Sequence, residues 1–123
     1  MARLWGTGAV AALAFAAIGP AGAAEYRQTT VEDYRVDQKQ LFGQKVEMSG
    51  FVFVISEAWL KRNADDMVTT RLDIDGLPRE TRKTLMSDCQ LGCQARLQGT
   101  VSRINGTLGI TVDNLAILSK AKP

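Results

Sequence analysis

Histidine is absent from the 123 residues, and only two cysteines and three prolines are present. Without an imidazole, a serine or cysteine nucleophile lacks the base that ordinarily titrates near neutrality. Zinc takes about four nitrogen or sulfur ligands, and two cysteines without histidine do not supply them. Carboxylate-only catalysis would have to use Glu57, Asp65, Asp66, Asp73 or Asp75. Yet Asp65-Asp66 reads as a turn and Asp73-x-Asp75-Gly76 as a strand end, both ordinary structural uses of aspartate. Asp73 and Asp75 also offer too few oxygens for a calcium loop of the EF type. The expectation is a protein that is not an enzyme and that carries no metal and no cofactor.

An excess of one charge is lacking too. The chain has 15 basic and 13 acidic side chains. Arg3 is the only charged residue among the first 24, so the remainder is close to neutral. A nucleic-acid binder of this size ordinarily shows a basic surplus, because affinity comes largely from neutralising phosphates. The composition therefore disfavours nucleic acid as a partner. A second long apolar run is missing as well, so no membrane span is expected beyond the N-terminal one.

That N-terminal run has the order of a secretory signal peptide: Met1-Ala2-Arg3, then apolar residues from about Ala9 to Ile18, then Gly19-Pro20 and the small residues Ala21-Gly22-Ala23-Ala24. It is short for a bilayer core of about 30 Å and is punctuated by glycine. No twin-arginine pair and no cysteine near the cleavage region mark a folded-export route or a lipid anchor. The expectation is a leader over residues 1–24 and a domain that works in a periplasm or outside the cell.

Residues 25–40 are polar, with Val31, Tyr34 and Val36 as the main apolar points, and read as an extended or partly ordered lead-in. From Lys45 the pattern alternates, as in a half-buried strand. Phe51-Val52-Phe53-Val54-Ile55 is then apolar throughout, which predicts cover on both faces, with Gly50 at the change as a bulge or bend. Glu57-Ala58-Trp59-Leu60 and Met67 to Ile74 read as the arms of a hairpin around a polar turn, with a helical turn over Ser56 to Lys61 as the competing reading of the first arm. Pro78 suits the first turn of a helix to about Ser87, with Leu77, Thr81 and Leu85 on one side. Residues 94–101 alternate, Asn105-Gly106 is a strong hairpin signal, and Leu108, Ile110 and Val112 continue on the partner strand. Residues 119–123 read as a polar tail.

Five strands with one helix between the third and fourth predict a mainly β, OB-fold-like Greek-key barrel over residues 41–118. An open α+β sheet of the same elements is the competing architecture. The stretch Leu41-Phe42-Gly43-Gln44-Lys45-Val46-Glu47-Met48-Ser49-Gly50-Phe51-Val52 resembles the opening of the tRNA-anticodon-like OB-fold family, many of whose members are small exported bacterial proteins of unknown role. Cys93-Gln94-Ala95-Arg96-Leu97-Gln98-Gly99-Thr100-Val101 resembles that family's fourth strand. Leu77-Pro78-Arg79-Glu80 with the Cys-x3-Cys resembles exported proteobacterial proteins without an assigned role. The resemblance spans about Val31 to Leu118 and implies the fold. Its association with tRNA does not transfer to an exported chain.

Two features carry the functional expectations. Cys89 and Cys93, four residues apart in an exported domain, read as a structural disulfide at the helix-to-strand junction. A redox-active pair is the alternative, although the spacing is not that of Cys-x-x-Cys. Trp59, Lys61, Arg62 and Arg71 lie on or beside the second and third strands, where OB-folds accept extended ligands. An aromatic ring beside a guanidinium suits a sugar, a base or a peptide. The plain alternative is that Trp59 plugs one end of the barrel and the basic residues are solvated. The leading expectation is a binding domain for an envelope protein or a small or polymeric ligand such as an oligosaccharide. A redox accessory or enzyme using Cys89 and Cys93, and a binder of single strands, are the alternatives.

Overall fold

Alternation along the strands decides the architecture, because each strand buries one parity and turns the other outward. The structure, a computed structural model, describes residues 25–120. The expected leader, 1–24, and the last three residues of the expected tail lie outside them. In chain order the elements are β1 (Arg27–Gln28), α1 (Val31–Asp37), β2 (Lys45–Val54), β3 (Ala58–Lys61), β4 (Thr70–Asp73), α2 (Arg79–Asp88), β5 (Cys93–Ile104) and β6 (Thr107–Lys120).

The last five strands close into a barrel. They run in the order β2-β3-β4-β6-β5, and β5 pairs back onto β2. All pairings around the ring are antiparallel except β4 with β6. With α2 between the third and fourth barrel strands, this is the expected OB-fold-like arrangement, and the open sheet is excluded by the β2–β5 ladder. Val46, Met48, Val52 and Val54 of β2 face Leu60, Leu72, Leu97, Val101, Ile110 and Val112 in one core. Asn105 and Gly106 have φ of 50° and 87°, the left-handed pair that a two-residue hairpin turn requires. Pro78 precedes α2 at its N-cap, and Leu77 and Leu85 are buried beneath the helix.

Several expectations change. The polar lead-in is extended only over β1, which adds to β2; a helix, α1, follows with Thr30 Oγ1 accepting from the Asp33 N–H. Val31 and Tyr34, three apart, share one face of α1 and are buried in the barrel core, while Val36 is exposed. Gly50 is not a bulge. The β2–β5 register runs unbroken through Gly50 and Ala95. Glycine is needed there because a Cβ would lie 2.7 Å from Leu60 Cδ1 and 3.0 Å from Val31 Cγ2. The register shifts lie instead in the β5–β6 ladder, beside Gln94/Ala95 and Gln98/Gly99.

Cover on both faces holds only in part for Phe51 to Ile55. Phe51 is buried, Phe53 is half-buried and Ile55 is exposed, because the strand ends at Val54. Met67 and Val68 are exposed loop residues, not strand. Asp66 Oδ1 accepts from the Val68 N–H and Arg35 donates to the Val68 carbonyl, which occupies the groups a ladder would use. The strand β6 continues through Ser119 and Lys120 of the expected tail.

Tyr34 has no exposed surface, and its hydroxyl has no hydrogen-bond partner among the described residues. Tyr34→Ala will cost about 3–5 kcal/mol of unfolding free energy, the range for an aromatic removed from a core. Tyr34→Phe removes only an unpaired buried hydroxyl and will leave stability unchanged or raise it by about 1 kcal/mol. Urea unfolding of the two variants checks both, and a Tyr34→Ala protein as stable as wild type would show that α1 is not part of the core.

Candidate functional site

In β3 the alternation Ala58-Trp59-Leu60-Lys61 sends Ala58 and Leu60 inward, leaving Trp59 and Lys61 half-buried on the outer surface. In β4, Thr70 and Leu72 are buried while Arg71 and Asp73 face out. The register sets Phe53 opposite Trp59 and Trp59 opposite Arg71, so three adjacent strands each contribute one residue to a continuous outer row. Phe51 stands opposite Lys61 in the next row.

The contacts within these rows are cation over ring. The Arg71 guanidinium lies 5.5 Å from the Trp59 ring centre, and the Lys61 ammonium 5.3 Å from Phe53 and 5.6 Å from Phe51. Each such contact contributes roughly 0.5–1 kcal/mol where exposed and more where water is excluded. Arg71 Nη1 is 3.3 Å from Glu57 Oε1, which fixes the guanidinium from the β2–β3 turn. The Arg71 Nε is buried and has no partner among the described residues. Beside it opens a cleft of about 270 Å³, lined among others by Ser56, Glu57, Asp73, Arg82 and Asn105.

Three of the four residues expected at the site therefore meet, and Trp59 lies on the barrel wall. Arg62 does not join them. It follows the end of β3, and its Nη1 is 3.0 Å from Glu32 Oε2 of α1. Its backbone N–H donates to Asp66 Oδ2, which also receives Arg35 at 2.7 Å. Phe53, expected in the core, joins the outer row instead, and Glu57, considered in the sequence only as a carboxylate and as part of the first hairpin arm, is the partner of Arg71. The signal for Phe53 was the parity of β2: with Val52 and Val54 inward, Phe53 has to face out.

The disulfide joins Cys89 and Cys93, with Cα atoms 5.1 Å apart and both residues fully buried. Cys89 sits at the C-cap of α2, and its carbonyl accepts from the Val54 N–H, tying the helix end to the end of β2. Inside the small loop Gly92 adopts a φ of 110°, and any side chain there would overlap the Phe51 ring. The bridge thus holds the segment that covers Phe51. Among the described residues no three His, Cys, Asp or Glu side chains are grouped to hold a metal, and no helix is long and apolar enough to cross a membrane.

Two measurements follow from this geometry. A five-residue loop constrains the unfolded chain by about 2 kcal/mol, so replacing both cysteines with alanine will lower stability by roughly that amount while the barrel still forms. Native protein will give no thiol labelling, and labelling without denaturant would contradict the burial of the bridge. At the Arg62 end, the Val68 and Arg62 N–H groups and then the Arg35 guanidinium hold the Asp66 carboxyl well below the usual carboxylate range. A depressed folded-state pKa contributes stability that is present in full above the ordinary value and is lost as pH falls toward the folded one. Stability of the wild type will therefore decline through the acid range, and Asp66→Asn will flatten that decline in acid unfolding curves. Comparison with known families found no family model that matches the chain, and a search of characterised proteins likewise found no match.

Proposed function

We propose that this is an exported, non-enzymatic OB-fold-like binding domain that holds an extended ligand against the outer face of β2, β3 and β4. The observation that carries the proposal is the Phe53–Trp59–Arg71 row, one residue from each of three neighbouring strands. Aromatic side chains left half-buried on a closed barrel do not serve the core, which is filled by the opposite parity. They form an aromatic surface with Arg71 laid over Trp59 and Lys61 over Phe53, a ring-and-cation combination suited to stacking on a ring of the ligand. Arg71 also lines the adjoining cleft.

Export rests on the leader pattern over residues 1–24 and on the disulfide, a bond that persists in oxidising compartments. The reading places the protein in a periplasm or outside the cell. It includes membership in the tRNA-anticodon-like OB-fold family, supported by the sequence resemblance together with the barrel. A binding role fits the wall position of Trp59 better than a catalytic one, because Arg71 is held by Glu57 and both cysteines are sealed from solvent.

The test is a titration of isotope-labelled protein, followed by the Trp59 indole N–H signal, with neutral oligosaccharides, a proline-rich peptide and a single-stranded oligonucleotide as separate probes. At least one class will shift that signal. Trp59→Ala will then weaken binding about tenfold to a hundredfold, the worth of one stacked ring, without loss of the fold by circular dichroism. Binding that survives in both Trp59→Ala and Arg71→Ala would place the ligand elsewhere.

A further inference from the structure

The strand β6 outruns one of its two neighbours. It pairs with β5 from Thr107 to Lys120, but on its other side β4 covers only Gly109 to Thr111. From Val112 onward no other strand of the described residues pairs with that side, and none of their turn or loop hydrogen bonds reaches it. Beside it, Glu80, Thr81 and Thr84 of α2 stand across an open groove of about 340 Å³ from Leu115 and Ile117. Those two side chains pack on the core only in part, while Asn114 and Ala116 are exposed. The unpaired side of a strand is a row of N–H and C=O groups that accepts another extended backbone. Such edges are ordinarily blunted by charge, proline or cover. From Asn114 to Ser119 this one carries neither charge nor proline, and Leu118 is 58% exposed. The register shifts against β5 fall at Asp113 and Leu118, so Asn114 to Ile117 is the regular stretch between them.

The edge is complementary to itself. Laid antiparallel on its own copy about a two-fold axis at Ala116, it sets Leu115 against the partner's Ile117, and Ile117 against the partner's Leu115. The small Ala116 meets its own copy at the axis. The two grooves beside α2 then join along one apolar seam. The same alignment carries the Asp113 end of each strand to the Lys120 end of the other, whereas a parallel one brings like charges together. Asp113 accepts from the Tyr26 hydroxyl through Oδ2, and Lys120 Nζ lies as far as 3.9 Å from Asp88, so neither charge is held tightly at home. The near-neutral balance of the chain gives two copies little net repulsion to overcome.

We infer that β6 is a homodimerisation edge: two copies pair their Asp113–Lys120 segments antiparallel, extending the sheet from one barrel into the next. The interface is isologous, so it closes at two copies and leaves no further edge to propagate. It lies apart from the Trp59 face, and the binding role proposed there stands or falls separately.

Sedimentation equilibrium of the purified protein reads the association. An interface of this kind is at the small end for specific contacts, and half-dissociation is expected between about 1 µM and 1 mM. Asp113→Lys or Lys120→Glu alone sets like charges together and weakens the dimer about tenfold, and the two combined restore it to within about threefold of wild type. Circular dichroism checks that each variant keeps the fold. Cα atoms facing across antiparallel strands are about 4.5–5.5 Å apart, within disulfide reach. Ala116→Cys will therefore form a covalent dimer under air oxidation, and Thr107→Cys, beside the hairpin turn, will not. A protein that is monomeric at about 1 mM overturns the proposal. A dimer whose charge variants are not rescued in combination, or whose Ala116→Cys form gives no cross-link, uses another surface or register and overturns it too. A monomer whose amides from Val112 to Leu118 are protected from hydrogen exchange by an added alternating Val-Thr octapeptide also overturns it, and gives the edge to a peptide partner.

Discussion

The pairing of β2 on both of its edges is the constraint from which the other features follow. Lys45 to Val52 pair with β5 and Phe51 to Val54 with β3, so one strand carries the closure of the whole barrel. Closure removes the free edges that an open sheet would present. It also makes parity strict, because every even-numbered residue from Val46 to Val54 then points at a filled interior. A shift of one residue would turn Glu47 and Lys45 toward the core and Val46 and Val52 outward. Gly50 lies one residue before the two ladders overlap at Phe51 and Val52, where Leu60, the Lys61 carbonyl and Val31 crowd in on it.

The strand that closes the barrel also presents its outer surface as a graded stripe, aromatic near β3 and β4 and polar near β5 and β6. Neighbouring strands complete each zone with one residue apiece, so the surface is set by register. Loops supply the supports. Glu57 steadies Arg71 from the β2–β3 turn, and the disulfide loop rests Gly92 on Phe51. The bridge closes only a short loop, and it is well placed to hold that local contact.

How far the sequence disclosed these arrangements depended on the range of the interaction. Asn105-Gly106, the alternation from Ala95 to Val101, and Pro78 ahead of α2 carry their meaning in a few residues, and each produced the expected element. The lead-in did not. Val31 and Tyr34 sit among polar residues, and nothing within that window says that a barrel core lies ready to receive them. Met67 and Val68 misled for the opposite reason: they are β-branched or apolar by type, yet Asp66 and Arg35 take up the backbone groups of Val68. At the site, Trp59 and Arg71 could be selected because a hairpin reading set them on facing arms. Arg62, one residue past β3, was directed to α1 by Glu32, a partner 30 positions away.

From the sequence alone came the order of the barrel strands with α2 among them, the OB-fold-like arrangement, the neutral balance of charge, the absence of histidine and the residue types available for binding. These follow from composition and from spacings of two to four residues, which local backbone geometry translates directly. Tertiary structure decided the rest: that Phe53 joins Trp59 and Arg71, that Glu47 is shielded among amides from three other strands, and that Cys89 and Cys93 are bonded and sealed. Each of those depends on which strands become neighbours when the sheet closes, a matter of long-range packing that no short window contains.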